Sequence, residues 1–330
     1  MQGPLAHELP FLRRSFVLSD PDDFGNAVSG GQLQADFLEG QVRPTQVEQF
    51  QSPAWALDFQ DASVKARVRC PLPPGWATVG FIRSPVPTAW YGLPATQGAL
   101  LCNPPGEPID GWIAPGFRCL AVGIPLAAWE HGRLLAGVGE EHTFRGFRLH
   151  QVTPEVYASL ENHATRLHEL LRGCLVNPQL AARASYEAGV FVERITLLAW
   201  ELAHPKVRLA ESGSHRNRAR LARRAEDWMR AHLTEDLHVP DLCQAMRVSR
   251  RELEYAFRLV FDESPRDYLL ALRLNAMHRT LRLGGHRAGA ITEVALRYAM
   301  PHLGRLSGRY RALFGENPVD TLRQGGRESG

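Results

Sequence analysis

A chain of 330 residues exceeds the roughly 100 to 200 residues typical of one domain, so two domains with separate cores are expected, and a hydrophobic content of 44% is ordinary for a soluble globular protein. The longest nearly apolar run, Cys119 to Ala128, falls far short of the ~20 residues of a membrane span, and the opening MQGPLAHELPFLRRSF lacks a basic stretch followed by an apolar one, so neither a span nor a signal peptide is expected and a cytoplasmic location is. Cys70, Cys102, Cys119, Cys174 and Cys243 are odd in number without a CxxC pair, which argues against a disulfide framework or a zinc knuckle, while the net charge of +3 hides a split: from His215 onward 21 arginines, no lysine and 14 acidic residues give +7, leaving −4 for the rest.

Residues 1–150 are dotted with proline and glycine, and short apolar stretches such as Trp55 to Phe59, Thr78 to Ile82, Gly98 to Cys102 and Phe117 to Ile124 lie between the turns. That pattern predicts a strand-rich domain. Over 151–203 it becomes helical: after Pro154, Val156, Leu160, Ala164, Leu167, Leu171 and Leu175 recur at three- and four-residue steps. A second helix is expected from about Ala182 to Ala203. Its Tyr186, Val190, Ile195, Leu198, Trp200 and Leu202 exceed what one face needs, so this segment either dimerises while packing on the strands or is an ordinary helical cap. Residues 204–217, with Pro205, Gly213, two serines and several charges, read as a linker to a helical unit over 218–330.

That last unit repeats itself. At an offset of 53, Leu253, Phe257, Phe261, Glu263 and Pro265 become Leu306, Tyr310, Phe314, Glu316 and Pro318; upstream, Val239, Leu242 and Val248 match Ile291, Val294 and Met300 at 52, so the second copy carries one extra residue in its turn. Each copy is predicted to be a short helix, a tight turn and a longer helix. In the first, Leu242, Ala245 and Met246 form the apolar side of the short helix, Arg247-Val248-Ser249 is the turn, and Ser249 caps the next helix. There Leu253, Phe257 and Phe261 share one side, while Arg250, Arg251, Glu254, Tyr255 and Arg258 point elsewhere. A mostly cationic helical face of this width fits the major groove of B-DNA. A rod from about Pro265 to Leu283, apolar at Leu270, Leu274, Met277 and Leu281 and again at Leu269, Leu272, Ala276 and Leu283, is expected to hold the two units.

Residues 218–325 resemble the DNA-binding domain of the AraC/XylS family of transcription regulators, through VSRRELEYAFRLVFDESPRDYLLALRLNAMHRTL and ITEVALRYAMPHLGRLSGRYRALFGENP. The resemblance implies sequence-specific binding to double-stranded DNA, contact with RNA polymerase and gene activation. It places base-reading positions at Arg251, Glu254 and Tyr255 in the first unit and at Leu303, Gly304 and Gly308 in the second. Glycines cannot reach base edges, so the first unit is expected to supply most base discrimination, with Ser249, Arg250, Arg258, His302, Arg305, Arg309 and Arg311 completing the DNA contacts, the last four mainly on phosphates. Ala299 stands where the second turn usually has glycine, and Pro301 is expected to start the second recognition helix. More loosely, the whole chain is similar to the ethanolamine-utilisation regulators of this family through TAWYGLPATQG at 88–98 and HLGRLSGRYRALFGENPVDTL at 302–322, which implies a cupin-like β-barrel or sandwich before the helices.

The expected architecture is therefore α+β: a β-rich sensor domain, a helical dimerisation segment of a homodimer, and an all-α domain with two helix-turn-helix units. Aromatic walls are common in ligand pockets, so Trp76, Trp90, Tyr91 and Trp112 are candidates for binding a small-molecule effector, with Arg83, Arg118 or Glu107 orienting it. Trp55 and Trp129 add to the aromatic load, though aromatics in a small β domain are more often core. An enzyme is disfavoured: His131, His142, His150, His163 and His168 lack the spacing of a cupin metal site, and GxSxG, GxxxxGK[ST] and HExxH are absent, so no metal and no cofactor are expected. Two alternatives are a cupin-type enzyme tethered to DNA and an effector-independent regulator acting through protein contacts.

Overall fold

The structure, a computed structural model, describes residues 9–140, 146–203, 213–284 and 289–328. Its first half is built on two antiparallel sheets. The larger orders β1 (Leu12–Leu18), β3 (Thr45–Ser52), β4 (Trp55–Ala62), β11 (Phe117–Pro125), β6 (Trp76–Ile82), β9 (Ala99–Asn103) and β12 (Arg148–Gln151). The smaller orders β2 (Gln34–Phe37), β5 (Ala66–Cys70), β10 (Ile109–Ile113), β7 (Thr88–Trp90) and β8 (Leu93–Ala95). The larger sheet is apolar on both faces, because alternate residues serve different cores. Leu57, Phe59, Val79, Phe81, Leu120 and Val122 face the helices, whereas Ala62, Ile82, Phe117 and Cys119 face the smaller sheet.

Helices α1 (Leu126–Leu135), α2 (Pro154–Gly173) and α3 (Ala181–Ala203) cover the outer face. The predicted row Leu160, Ala164, Leu167 and Leu171 is buried there, and α2 begins at Pro154 with Thr153 accepting from Val156 N. Leu175 differs: it lies beyond the end of α2 and is exposed. The short helix α1 lies inside the stretch read as strands; its Trp129 packs against Trp200 of α3 at 5.0 Å, and that pair fastens it. On α3, Ile195 and Trp200 are buried, while Tyr186 and Val190 stay in solvent.

Among the described residues seven helices follow: α4 (Gly213–Ala231), α5 (Val239–Met246), α6 (Arg250–Phe261), α7 (Pro265–Leu283), α8 (Ala290–Arg297), α9 (Leu303–Phe314) and α10 (Pro318–Glu328). The α7 bounds are those expected. Of its predicted rows, Leu269, Leu272, Leu274, Met277 and Leu281 are buried; Leu283, at the last turn, is exposed. The expected linker lies up to residue 212 outside the described residues, and from Gly213 it is already helix.

The β domain and the helical domain are joined by buried charge. Asp36 on β2 accepts from Arg230 of α4 at 2.6 Å and from Arg279 of α7 at 2.8 Å. Glu226 of α4, fully buried, meets Arg67 at 3.1 Å and Arg69 at 2.6 Å on β5, Arg230 at 2.9 Å, and the Tyr268 hydroxyl at 2.5 Å. Lys65 reaches the C-terminal end of α6, donating to the Asp262 carboxylate and carbonyl and to Glu263. A lysine there also suits the partial negative charge of the helix end. Asn275 of α7 pairs with the backbone of Phe37 as a neighbouring strand would, its Oδ1 accepting at 2.9 Å and its Nδ2 donating at 2.8 Å. Asp20 closes the contact on His278 at 2.5 Å and Arg282 at 2.9 Å. The apolar core follows the same route, running from the two sheets into Leu274, Met277, Leu306, Tyr310 and Leu313.

Two buried carboxyls give opposite pH signatures. Burial opposes ionisation of Glu226, but Arg67, Arg230 and Arg69 overcome it and hold the carboxyl well below its ordinary range. Its contribution is therefore present above the unfolded value and lost as pH falls. Among the described residues the Asp58 carboxyl on β4 has only Ser29 as a hydrogen-bond partner, through the hydroxyl at 2.6 Å and the backbone N–H at 2.7 Å, and burial pushes it up to about 7 despite those bonds. The folded chain then binds a proton that the unfolded chain has released, so Asp58 costs stability increasingly as pH rises from about 4 to about 7. Glu226→Gln is expected to lower stability by about 3 to 5 kcal/mol at pH 7, because Arg67 stays buried with one partner fewer; a urea midpoint equal to that of the parent would contradict this. Asp58→Asn is expected to raise the melting temperature at pH 8 and to lose that advantage near pH 4. A gain independent of pH would show that burial of the carboxylate is not its source.

Candidate nucleic-acid interface

The duplicated punctuation folds into two helix-turn-helix units. In the first, α5 ends where Arg247 turns left-handed at φ 57°, and the Val248 N–H returns to the Cys243 carbonyl at 3.1 Å. Ser249 then caps α6, accepting from Glu252 N at 3.2 Å, while the Glu252 carboxylate accepts from Ser249 N at 2.9 Å. These reciprocal bonds satisfy otherwise orphaned amides and aim α6 away from α5. In the second unit Ala299 takes the left-handed place at φ 52°, and the Met300 N–H returns to the Ala295 carbonyl at 2.9 Å. The two reversals superpose at the offset of 52, and the extra residue falls after them: α6 starts three residues past its left-handed residue, α9 four past its own. Pro301 therefore lies ahead of α9 rather than starting it, since His302 is the N-cap and Leu303 the first helical residue.

Leu253, Phe257 and Phe261 are buried as predicted, and Leu306 and Tyr310 do the same for α9, where Phe314, the counterpart of Phe261, is half-buried and the neighbouring Leu313 is buried instead. Leu242 and Met246 anchor α5, but Ala245 is exposed, so its short helix buries a narrower side than its composition suggests. Ser249, Arg250, Arg251, Tyr255 and Arg258 on the first unit, and His302, Arg305, Arg309 and Arg311 on the second, are exposed, with Glu254 half-buried beside them. Among the described residues no carboxylate lies within ion-pairing distance of Arg251, Arg258, Arg305, Arg309 or Arg311. Arg250 is different, because it pairs with Glu254 one turn along at 2.8 Å. A charge already matched within the helix is a weaker phosphate ligand than an unmatched one. Leu303 is partly exposed, and a side chain at Gly304 or Gly308 would meet nothing within 4 Å, so the glycines answer no packing need and leave a bare strip on α9.

Composition alone did not single out α4. Arg218 lies over the Tyr255 ring at 4.4 Å, holding one of the expected base readers in place. The signal was the run His215 to Arg224, which the division at 217/218 cut through.

The four aromatics proposed for an effector pocket do not converge. A cavity of about 60 Å³ lies between the two sheets, lined by Phe24, Ala27, Leu33, Trp90, Ile113 and Cys119 among others, and of the four only Trp90 reaches it. Trp76 packs at the start of β6 near Gly123, and Trp112 is buried under Lys65 at 5.6 Å. Tyr91 and Gly92 form the two-residue turn between β7 and β8, both left-handed, at φ 54° and 79°. Such turns match the twist of a hairpin. Gly92 is required twice over, since a Cβ there would stand 2.7 Å from the Cβ of Ala219 on α4. Arg223 of α4 lies over the Tyr91 ring at 4.9 Å and donates to the Tyr91 carbonyl, so this segment meets the helical domain rather than the cavity. Arg83 is committed to Glu161 of α2 at 2.8 Å and fastens that helix to the sheet.

Residues 242–324 match a family described as a helix-turn-helix domain. Over 101 residues the chain is 32% identical to the XylDLEGF operon transcriptional activator of Pseudomonas putida, covering 31% of this chain and 32% of that protein. Over 103 residues it is 29% identical to the probable thc operon regulatory protein of Rhodococcus erythropolis, covering 31% of each. The chain thus spans about a third of the length of the curated relatives it matches. Among solved structures, a transcriptional regulator from Chromobacterium violaceum, described as an AraC-type DNA-binding domain-containing protein, aligns at 27% identity, 32% of this chain and 92% of that one, with a TM-score of 0.30.

Arg251→Ala is expected to cost about 1 to 3 kcal/mol at selected base pairs, whereas Arg309→Ala weakens all sequences alike. Binding of each variant to a duplex series with single base-pair changes tests this, and equal loss of discrimination in both would defeat the assignment of roles.

Proposed function

We propose that the carboxy-terminal part of this chain is a DNA-binding domain of the AraC/XylS family and that the whole chain is a sequence-specific transcription regulator, an activator that works beside RNA polymerase and responds to a small molecule; the helix-turn-helix match and the likeness to the XylDLEGF operon activator support this reading. The observation that carries the proposal is the pair of exposed helices α6 and α9, each presenting arginines without an internal counter-ion among the described residues. Arginines of that kind gain from polyanion contact without first breaking an ion pair. Among the described residues no helix is long and apolar enough to cross a membrane. We place the regulator in the cytoplasm, as a homodimer whose contact includes the exposed Tyr186 and Val190 of α3.

Effector control would act through residues 20–37. Phe24, Ala27, Val28 and Leu33 of this segment line the intersheet cavity, while its Asp20, Asp22 and Asp36 hold α7 through His278, Arg279 and Arg282. One stretch of chain is thus both cavity wall and clamp. A volume of about 60 Å³ holds no more than a few waters, against the ~300 Å³ or more of a metabolite pocket. An effector must therefore favour an arrangement in which this wall has moved, and its differential affinity sets how far the balance shifts.

Chromatin immunoprecipitation with sequencing, followed by transcript measurement of the adjoining genes in cells with and without the protein, tests the proposal. Discrete peaks with lower transcription in the deletion strain are expected. Peaks absent, or present with transcription unchanged under every nutrient supplied, would remove the regulatory role.

A further inference from the structure

Four of the arginines of α4 form two sets. Arg223 and Arg230 face the β domain and are matched there, by the Tyr91 carbonyl and Asp110 for the first and by Asp36 and Glu226 for the second. Arg220 and Arg224 are exposed, and among the described residues no carboxylate lies within ion-pairing distance of either. They lie four residues apart, one turn or about 6 Å along the axis. With Asn217, Met246, Val248 and Arg251 they line one concave surface that runs from α4 onto the first turn of α6. The one acid lining that surface among the described residues, Glu252, is held by the Ser249 cap and is not a counter-ion for them.

We propose that this groove is a clamp for the sugar-phosphate strand beside the base pairs that α6 reads, with Arg220 and Arg224 as phosphate ligands. It rests on the DNA-binding function proposed above and adds a third contact element to the two recognition helices. The groove is continuous with Arg251, so a duplex seated on α6 brings its flanking backbone over α4. Phosphates recur about every 3.4 Å of axis on each strand, which allows two arginines one helical turn apart to take different phosphates. Because the clamp would hold backbone phosphates rather than base edges, it strengthens binding without choosing sequence.

The test uses the full chain and a duplex selected by the wild-type protein from a random-sequence pool, with affinity followed by fluorescence anisotropy across a salt series. For R220Q/R224Q the log–log salt slope is expected to fall by about 1.8, at about 0.9 for each phosphate no longer neutralised, with discrimination between the selected and an unrelated duplex unchanged. R220K/R224K retains both charges and is expected to keep most of the slope. A wild-type slope in the glutamine variant overturns the clamp while leaving DNA binding intact. Loss of discrimination with the slope retained overturns it as well, because it would make these arginines base readers. If the wild-type chain selects no duplex, the DNA-binding function itself fails, and the clamp with it.

Discussion

Buried ion pairing between the β domain and the helices is the constraint on which the rest of the molecule depends. Asp36 and Glu226 are carboxylates with almost no access to water, and each is tolerable only because two or more guanidinium groups, from both domains or from separate helices, converge on it. Taking such charges out of water costs several kcal/mol per ion, so the arrangement stands only when all members are in place. Position is therefore specified sharply. Arg230 touches both carboxylates: it ties α4 to β2 through Asp36, and it steadies Glu226 one turn back on the same helix, which in turn ties α4 to β5 through Arg67 and Arg69. Because Arg279 of α7 shares Asp36 with Arg230 of α4, the first unit's leading helix and the rod toward the second are held to the same strand.

This use of charge leaves the reading faces open. Lys65, Asp36, Asn275 and His278 occupy the C-terminal end of α6, one side of α4 and one side of α7, whereas the arginines without a carboxylate partner among the described residues are spread along the exposed sides of α6 and α9, Arg251 and Arg305 in the first turn and Arg258 and Arg311 in the last. The loop carrying Gly40 approaches α9 so closely that a Cβ there would sit 2.2 Å from the carbonyl oxygen of Ala312, at the C-terminal end of that helix too. Both recognition helices are thus gripped at their far ends. On α4 both kinds of arginine occur on different sides: Arg223 and Arg230 matched against the β domain, Arg220 and Arg224 exposed without a carboxylate among the described residues.

Periodicity made the helices legible because each has one dominant buried side: the rows on α2 and α6 and the bounds of α7 follow from three- and four-residue spacing, and the repeat at offsets 52 and 53 follows from side chains that must fill equivalent holes. Strand alternation was legible only as a class. Both faces of β4, β6 and β11 are buried, so apolar runs such as Trp55 to Phe59 carry no record of which residue faces which core. The junction between domains was not legible at all. Asp36, Arg67, Glu226 and Asn275 are polar residues far apart in sequence, and nothing local distinguishes a buried carboxylate with remote partners from a solvated one. The same reason misdirects attention at Tyr91: an aromatic in a β domain suggests a pocket, but its left-handed backbone places it at a hairpin tip, and only the approach of α4 decides what the tip meets.

A junction made of charges differs from an apolar one in how it opens. Separating two apolar faces exposes them to water at about 25 cal/mol per Å², with no compensation, so a large apolar junction stays shut. Separating Asp36 from Arg230 and Arg279 returns each ion to water, and the solvation regained offsets most of the attraction given up. The net strength is then modest although the geometry is exacting. Under the effector control proposed above, that combination would suit two domains that hold one relative position until the wall formed by Phe24, Val28 and Leu33 is displaced by a ligand. The apolar continuity through Leu274, Met277 and Tyr310 opposes such opening. Any such proposed movement would be limited by how much of that core slides with α7 rather than being exposed, and a rotation of the β domain about α7 would sacrifice less of it than a full separation.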